Sequence, residues 1–157
     1  VQALNAIAEK YQHPIIVSTH PRTRKKIDLL NLEFHPLVKL LKPLGFSDYV
    51  KLQMDAKVVL SDSGTITEES SILNFPAVNI RDAQERPEGF EEGAVMFTGM
   101  NVERILQAIE ILDKQPRGEH RLINKVQNYI APNVSDKVLR TIISYTDYVN
   151  RVVWKKY

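Results

Sequence analysis

The sequence predicts an α/β fold in which a Rossmann-like parallel sheet is flanked by helices. Short apolar runs rich in β-branched residues alternate along the chain with amphipathic segments of helical period. The runs are continuously apolar, which is typical of parallel strands that are buried on both faces. With 157 residues, of which 43% are hydrophobic and 25% charged, the chain is long enough for one domain with its own core.

The first third of the chain alternates between helix and strand. Leu4 and Ile7 lie at helical spacing, and a β-branched run follows His13 and Pro14. In chain order we predict a helix over 1–11, a strand over 15–17, a basic helix over 23–30, an apolar run over 37–41 and an amphipathic helix over 46–54.

The same alternation continues to about residue 112. Asn101 is predicted to cap a helix whose apolar residues share one face. The later predicted elements are a strand over 58–60, a helix opened by Ser63 and Gly64 and reaching about Leu73, strands over 76–80 and 94–97, a helix over 102–112, and helical segments over 119–130 and 135–154. We therefore expect one domain over 1–157, with a sheet core over about 1–115 and a helical tail over about 119–157.

Composition excludes several functional classes. The formal net charge of +2 comes without any long block of like charge, which argues against a nucleic-acid partner. The absence of cysteine excludes disulfides and thiolate metal sites, and the four histidines lack metal-ligand spacing. No apolar run approaches the roughly 18 to 20 residues that span a bilayer. We expect a cytoplasmic protein and, because Val1 begins a helical pattern, a fragment of a longer chain.

The segment over 58–69 is the most informative for function. It combines a strand, a turn of small residues and a helix, and ligands of open parallel sheets bind beyond the carboxyl ends of the strands. The start of such a helix suits a phosphate, with Ser63 as a hydroxyl donor and Gly64 allowing close approach of the backbone. The alternative is that Ser63 only caps the helix. One of the neighbours Glu68 and Glu69 could accept hydrogen bonds from a ribose, or both could be solvated surface carboxylates.

Two further loops are predicted on the same edge of the sheet. The segment over 81–89 follows a strand, and its Arg86 is suited to bidentate contact with a diphosphate, although a charged loop is usually only a solvated loop. His20 follows the strand over 15–17, and a lone histidine is more often structural than catalytic. Tyr49 could support a uracil ring or belong to the core.

Three segments of the chain occur together in one known family: DSGTITEE at 62–69, FPAV at 75–78 and QERPE at 84–88. In order and spacing they resemble the C-terminal domain of non-hydrolysing UDP-N-acetylglucosamine 2-epimerases, and the resemblance extends with less force over about 1–112. The run SDSGTITEESSILNFPA, with Thr65 and Thr67, is most similar to the capsule and O-antigen branch that makes UDP-N-acetyl-L-fucosamine.

The resemblance implies a nucleotide-sugar site in one half of a two-domain fold of the glycosyltransferase-B type. The implied UDP-binding residues are Ser63, Gly64 and Thr65 at the diphosphate, Glu69 at the ribose, Arg86 against the nucleotide, Tyr49 beside the uracil and His20 beside the cleft. The family carries two glycines after the serine, whereas Thr65 takes the second place here.

By the same resemblance, the whole enzyme eliminates UDP to give a 2-acetamidoglycal and adds it back after inversion at C2, without cofactor or metal. The implied reaction converts UDP-2-acetamido-2,6-dideoxy-L-talose to UDP-N-acetyl-L-fucosamine. Its acid and base are expected in a missing N-terminal domain, with His20 as the one candidate here. The chain alone is expected to bind UDP or a UDP-N-acetylhexosamine without catalysis, and the full-length protein to be a homodimer. The alternatives are a UDP-sugar glycosyltransferase of the same architecture and a non-enzymatic Rossmann-like interaction domain.

Overall fold

The computed structural model describes residues 1–83 and 85–156. The chain forms two compact units, Val1–Val126 and Gln127–Tyr157. In the first unit helices and strands alternate from the start. Its elements are α1 (Gln2–Tyr11), β1 (Ile15–Ser18), α2 (Pro21–Leu29), β2 (Val38–Leu41), α3 (Phe46–Asp55), β3 (Val59–Ser61), α4 (Thr65–Leu73), β4 (Ala77–Asn79), α5 (Pro87–Glu91), β5 (Met96–Phe97) and α6 (Val102–Leu112).

All of these strands pair in parallel. β1 pairs with β2, and β3, β4 and β5 form a three-stranded ladder with β4 in the centre. Each parallel connection passes through a helix, as the distance between the ends of parallel strands requires. The predicted parallel α/β fold is therefore confirmed, with the hydrogen bonding divided between a two-stranded and a three-stranded ladder.

Helices cover both faces of the three-stranded ladder. Successive strand residues point to opposite faces, so Val59, Ala77 and Phe97 pack with Ile66 of α4 and with Phe75. On the opposite face, two clusters built on α6, one of which includes Ile7 of α1, contain the alternate strand residues Leu60, Val78 and Met96. Burial on both faces explains why these strands are continuously apolar in the sequence.

Local signals in the sequence placed several helix ends correctly. The side chain of Asn101 accepts a hydrogen bond from the Arg104 N–H at 3.0 Å, which confirms the predicted cap of α6. At the C-terminal end of α4, Asn74 adopts a left-handed conformation with φ 58°, which asparagine tolerates better than most residues.

The predicted helix over 119–130 is wrong for most of its length, because only α7 (Gln127–Ile130) is helical. Gly118 has φ +62°, outside the helical region. The Arg121 guanidinium donates to the carbonyls of Ser71 and Ile72, each at 2.7 Å. Asn74 donates to the Gly118 carbonyl at 2.9 Å. The two Arg121 bonds satisfy carbonyls at the end of α4 that have no partner within that helix, and together with the Asn74 bond they replace the local bonds of a helix.

The second unit consists of α7, α8 (Val134–Tyr148) and a short π-helical turn (Val149–Val153). The predicted helix over 135–154 is thus confirmed, although its last residues adopt the wider helix. Its apolar side chains are largely exposed, Ile143 to 72% and Ile142 to 55%. No helix in the described part of the chain is both long and apolar enough to cross a membrane.

Candidate functional site

The loops that follow β3 and β4 lie side by side. Ser61 and Asn79 are partners in the parallel ladder and end their strands at the same edge of the sheet. The first loop leads into α4, and the second leads through Arg86 into α5. The convergence of these two loops, expected from the order of strands and helices, is therefore present in the fold.

Asn79 joins the two loops. This residue is buried, with 3% of its surface exposed. Its amide nitrogen donates to the Ser63 carbonyl at 3.4 Å, and its amide oxygen accepts from the Arg81 N–H at 3.0 Å. Asn79 is not among the residues predicted for the site, although an amide at the end of an otherwise apolar strand is a signal that could indicate it.

The start of α4 is exposed and polar. The Ser63 hydroxyl accepts from the Thr65 N–H at 3.3 Å and lies 3.0 Å from the Thr65 hydroxyl. Gly64 is the N-cap residue, so no side chain caps the helix from that position. Ser63 thus precedes the N-cap, not the cap that the alternative predicted, and its exposed hydroxyl accepts from the first N–H of the helix. The first turn of a nine-residue helix also directs backbone N–H groups and a partial positive charge outward.

Arg86 lies across the start of α4 and is fixed by Glu68. Its backbone adopts a left-handed conformation with φ 62°, uncommon for a residue with a side chain, immediately before Pro87 begins α5. The Arg86 Nε donates to Glu68 Oε1 at 2.7 Å, and Nη1 lies 3.7 Å from Glu85 Oε2. The side chain of Arg86 is 28% exposed, so the guanidinium is held close to the protein surface.

The Arg86 guanidinium fills the space that Gly64 leaves open. A Cβ atom added to Gly64 would lie 1.9 Å from Arg86 Nη1 and 2.7 Å from Glu85 Oε2. The predicted role of Gly64, close approach of an anion to the backbone, stays a prediction. The structure adds a different requirement for glycine, since any larger residue would displace the arginine. A guanidinium and a helix N-terminus thus meet at one place, with the carboxylates of Glu68 and Glu85 beside the guanidinium.

The neighbouring carboxylates Glu68 and Glu69 have different partners. While Glu68 contacts Arg86, Glu69 Oε2 accepts a hydrogen bond from the Gln53 amide on α3. Burial, and to a lesser extent the negative charge of Glu69, raises the pKa of the Tyr49 hydroxyl above its ordinary value. Tyr49 precedes Gln53 by one helical turn, so Tyr49, Gln53 and Glu69 form a second polar group beside the first.

His20 lies at the start of α2, not in the loops that carry Ser63 and Arg86. It is the exposed N-cap of α2, and its Nδ1 accepts from the Arg22 N–H at 3.2 Å. Among the described residues, no hydrogen bond joins His20 to the loops around Ser63 and Arg86. Gln84, the first residue of the QERPE motif, lies outside the described residues. Within the described ranges, no group of three or more His, Asp and Glu side chains could hold a metal ion.

Comparison with known proteins gives a consistent result. The family model for UDP-N-acetylglucosamine 2-epimerase matches residues 1–143. The UDP-N-acetylglucosamine 2-epimerase of Methanocaldococcus jannaschii is 33% identical over 152 residues, which cover 94% of this chain and 39% of the relative. The corresponding protein of Neisseria meningitidis serogroup A is 30% identical over 140 residues, covering 87% of this chain and 37% of the relative.

Solved structures agree with these sequence matches. The structure of UDP-N-acetylglucosamine 2-epimerase from Rickettsia bellii superimposes with a TM-score of 0.85 at 46% identity, covering 99% of this chain and 43% of that chain. The M. jannaschii enzyme in complex with UDP-GlcNAc and UDP gives a TM-score of 0.76 at 30% identity, covering 91% of this chain and 39% of that chain. The chain thus spans about two fifths of the length of the relatives that it matches.

Proposed function

The chain belongs to the UDP-N-acetylglucosamine 2-epimerase family, and we propose that it is the C-terminal, UDP-binding half of a UDP-N-acetylhexosamine 2-epimerase. The observation that carries this proposal is the placement of the Arg86 guanidinium over Gly64, at the N-terminus of α4. The complex of the M. jannaschii relative with UDP-GlcNAc and UDP supports the same ligand class here.

The diphosphate of UDP would bind at the start of α4. Phosphates favour helix N-termini because N–H groups without an intrahelical partner point outward there. Ser63 and Thr65 add exposed hydroxyls, and Arg86 adds a charged planar donor. Glu68 holds the Arg86 guanidinium through Nε, the edge of the group that is not directed at Gly64. The arrangement therefore offers several hydrogen-bond donors to the oxygens of a diphosphate.

The nucleoside would extend from the diphosphate toward α3. Glu69 can accept hydrogen bonds from the two hydroxyls of the ribose, and Tyr49 on α3 offers an aromatic side chain for the uracil. Tyr49 lies close enough to Glu69 for the carboxylate charge to raise its pKa. The phenol is consequently neutral at physiological pH. A base and a ribose could thus be contacted by neighbouring residues.

The reaction that this half would support begins with loss of a proton from C2 of the sugar and cleavage of the C1–O bond. UDP departs with the bonding electron pair, and a 2-acetamidoglycal remains. UDP then adds back to C1 while a proton is delivered to the other face of C2. The residues at the start of α4 would stabilise the charge of the departing UDP. Inversion also requires an acid and a base on opposite faces of the sugar.

The acid and base are proposed to belong to a second, N-terminal domain. The carboxylates Glu68 and Glu69 are already engaged by Arg86 and Gln53, and His20 contacts its own helix. The relatives are more than twice as long as this chain. The exposed apolar residues of α8 are the kind of surface that a further domain covers. A closed cleft between two domains would also retain the glycal until UDP returns.

For the substrate, we propose the 6-deoxy branch of the family, with conversion of UDP-2-acetamido-2,6-dideoxy-L-talose to UDP-N-acetyl-L-fucosamine in capsule or O-antigen synthesis. The support is the run over 61–77, in which Thr65 and Thr67 occupy the start of α4. Thr67 is fully buried, so it would influence the choice of substrate only through the packing of α4. The exposed Thr65 would lie beside the proposed position of the diphosphate.

Titration of the chain with UDP tests the binding proposal. Calorimetry is expected to show one site, and NMR shifts are expected at Ser63, Glu69 and Arg86. Shifts confined to residues far from the start of α4 would contradict the proposed site. Absence of UDP binding would instead favour an interaction domain without nucleotide.

Hydrogen exchange in deuterated water tests the division of labour between the two halves. Full-length protein and this chain are incubated separately with the UDP-sugar, and deuterium incorporation at C2 is followed by NMR. Exchange is expected for the full-length protein and not for the chain alone. Exchange by the chain alone would contradict the assignment of the acid and base to the other domain. No exchange by the full-length protein with any of several UDP-N-acetylhexosamines would favour a glycosyltransferase.

A further inference from the structure

We propose that Gln53 is a positioning residue that orients the Glu69 carboxylate toward the ribose and thereby sets the preference for ribose hydroxyls. This inference rests on the proposed binding of UDP with Glu69 at the ribose. No part of the family motifs over 62–69 and 84–88 includes Gln53, which lies on α3, 16 residues before Glu69.

The burial of Gln53 is the first observation. It is 2% exposed, and it is the one fully buried residue of α3, all ten residues of which are described. Removing an amide from water is unfavourable unless hydrogen bonds replace those to the solvent. Its Oε1 atom is buried and finds no hydrogen-bond donor among the described residues. An apolar side chain would fill this position at lower cost, so the packing of α3 does not account for the amide.

Within the described part of the chain, the side chain of Gln53 makes one hydrogen bond, which is the second observation. Its Nε2 donates to Glu69 Oε2 at 2.5 Å. Since an ionised carboxylate can only accept, the amide nitrogen must face Glu69, and the orientation of the glutamine is fixed. Among the described residues, no hydrogen bond engages Glu69 Oε1. The carboxylate is half-buried, so it is held from within the protein while it still reaches the surface.

This geometry would hold the Glu69 carboxylate in place to accept hydrogen bonds from the two ribose hydroxyls. A glutamate side chain that is free to rotate loses conformational entropy when it binds a ligand, and a bond that orders it beforehand removes part of that cost. Each carboxylate oxygen has more than one acceptor position, so the bond from Gln53 leaves capacity for two hydroxyls. Gln53 would therefore strengthen only the interaction with the ribose, without touching the ligand.

The test compares UDP with 2′,3′-dideoxy-UDP, which keeps the base and the diphosphate but lacks both ribose hydroxyls. Calorimetric affinities are measured for the chain with its native sequence, for Gln53→Met, and for Gln53→Leu as a second apolar shape in case the first does not fold. Gln107→Met, an exposed glutamine on α6, is the matched control. Glu69→Ala and its combination with Gln53→Met complete a double-mutant cycle.

The native chain is expected to prefer UDP over the dideoxy analogue. Gln53→Met should weaken UDP binding by about two- to tenfold, as the loss of prior ordering of one side chain would, and should leave binding of the analogue unchanged. The melting temperature should stay the same or rise. In the Glu69→Ala background, Gln53→Met should have no effect on either ligand.

Two results would overturn the inference while leaving UDP binding intact. One is an unchanged preference for UDP in both Gln53 variants. The other is an equal loss of affinity for the two ligands together with a lower melting temperature, which is what a purely structural role predicts. By contrast, a native chain that binds neither ligand, or binds both equally, would overturn the proposed contact between Glu69 and the ribose itself.

Discussion

Replacing Gly64 with alanine is expected to weaken UDP binding by displacing Arg86. The added Cβ atom would lie 1.9 Å from Arg86 Nη1 and 3.1 Å from its Cζ. Both atoms belong to the end of a flexible side chain, so the guanidinium would swing away while the backbone stays in place. The predicted defect is thus the loss of one charged contact, located at the start of α4.

The structure allows the size of this effect to be stated. A hydrogen bond to a charged group contributes about 1.5–3 kcal/mol, so the affinity for UDP should fall by about ten- to a hundredfold. Gly64 has φ −65° and ψ −29°, a right-handed helical conformation that alanine adopts readily. The free energy of unfolding should therefore change by no more than about 1 kcal/mol.

Calorimetric titration with UDP and thermal unfolding measure the two quantities separately. Gly45→Ala is the matched control, because Gly45 is the N-cap of α3 and an added Cβ would only meet Asp48 at 3.7 Å. In the Arg86→Ala background, Gly64→Ala should weaken UDP binding by less than about twofold, since the displaced group is already absent.

The reasoning would be refuted if Gly64→Ala lowered the affinity by the same factor with and without Arg86. That result would mean that the glycine serves the close approach of the ligand to the backbone. Native affinity in Gly64→Ala alone would likewise show that the guanidinium does not contribute.

Three further predictions concern single residues. Arg86→Ala should weaken UDP binding about ten- to a hundredfold by calorimetry and leave uridine binding unchanged, whereas equal losses for both would exclude a contact with the diphosphate. Phe75→Ala, at a position 1% exposed, should lower the free energy of urea unfolding by about 3–5 kcal/mol. The control Phe46→Ala, at a position 85% exposed, should change that free energy by less than about 0.5 kcal/mol. Similar losses of stability in the two variants would contradict the assigned core. The hydrogen bond from Lys57 lowers the pKa of Asp113 below its ordinary value. The stability that this pair contributes should be present above the ordinary carboxyl pKa and vanish as the pH falls through the lowered one. The difference in unfolding free energy between native chain and Asp113→Asn should therefore be present at neutral pH and disappear in acid.

The sequence by itself determined the order and type of most elements. Continuous apolar runs predicted parallel strands, and helical periodicity predicted α3, α4 and α6 within one or two residues. These features are local, because a strand buried on both faces is apolar at every residue and a helix repeats its buried face every 3.6 residues. The edge of the sheet that carries Ser63 and Arg86 followed from the same order of elements.

Only the tertiary structure decided how the side chains of the site are paired. Glu68 and Glu69 are neighbours of the same chemistry, yet Glu68 contacts Arg86, 18 residues later, and Glu69 contacts Gln53, 16 residues earlier. No local pattern distinguishes two adjacent glutamates. Their partners depend on how α3, α4 and the loop after β4 pack around the sheet.

The dependence of partners on tertiary structure also explains why the helix predicted over 119–130 is wrong for most of its length. The segment following Gly118 has residues compatible with a helix, but Asn74 donates to the carbonyl of Gly118, and Arg121 donates to two carbonyls at the end of α4. Those carbonyls lie about 50 residues away in the chain. A periodic pattern in the sequence shows only which residues are apolar. Whether a polar group bonds to a local or a distant partner depends on which groups lie within hydrogen-bonding distance in the folded chain.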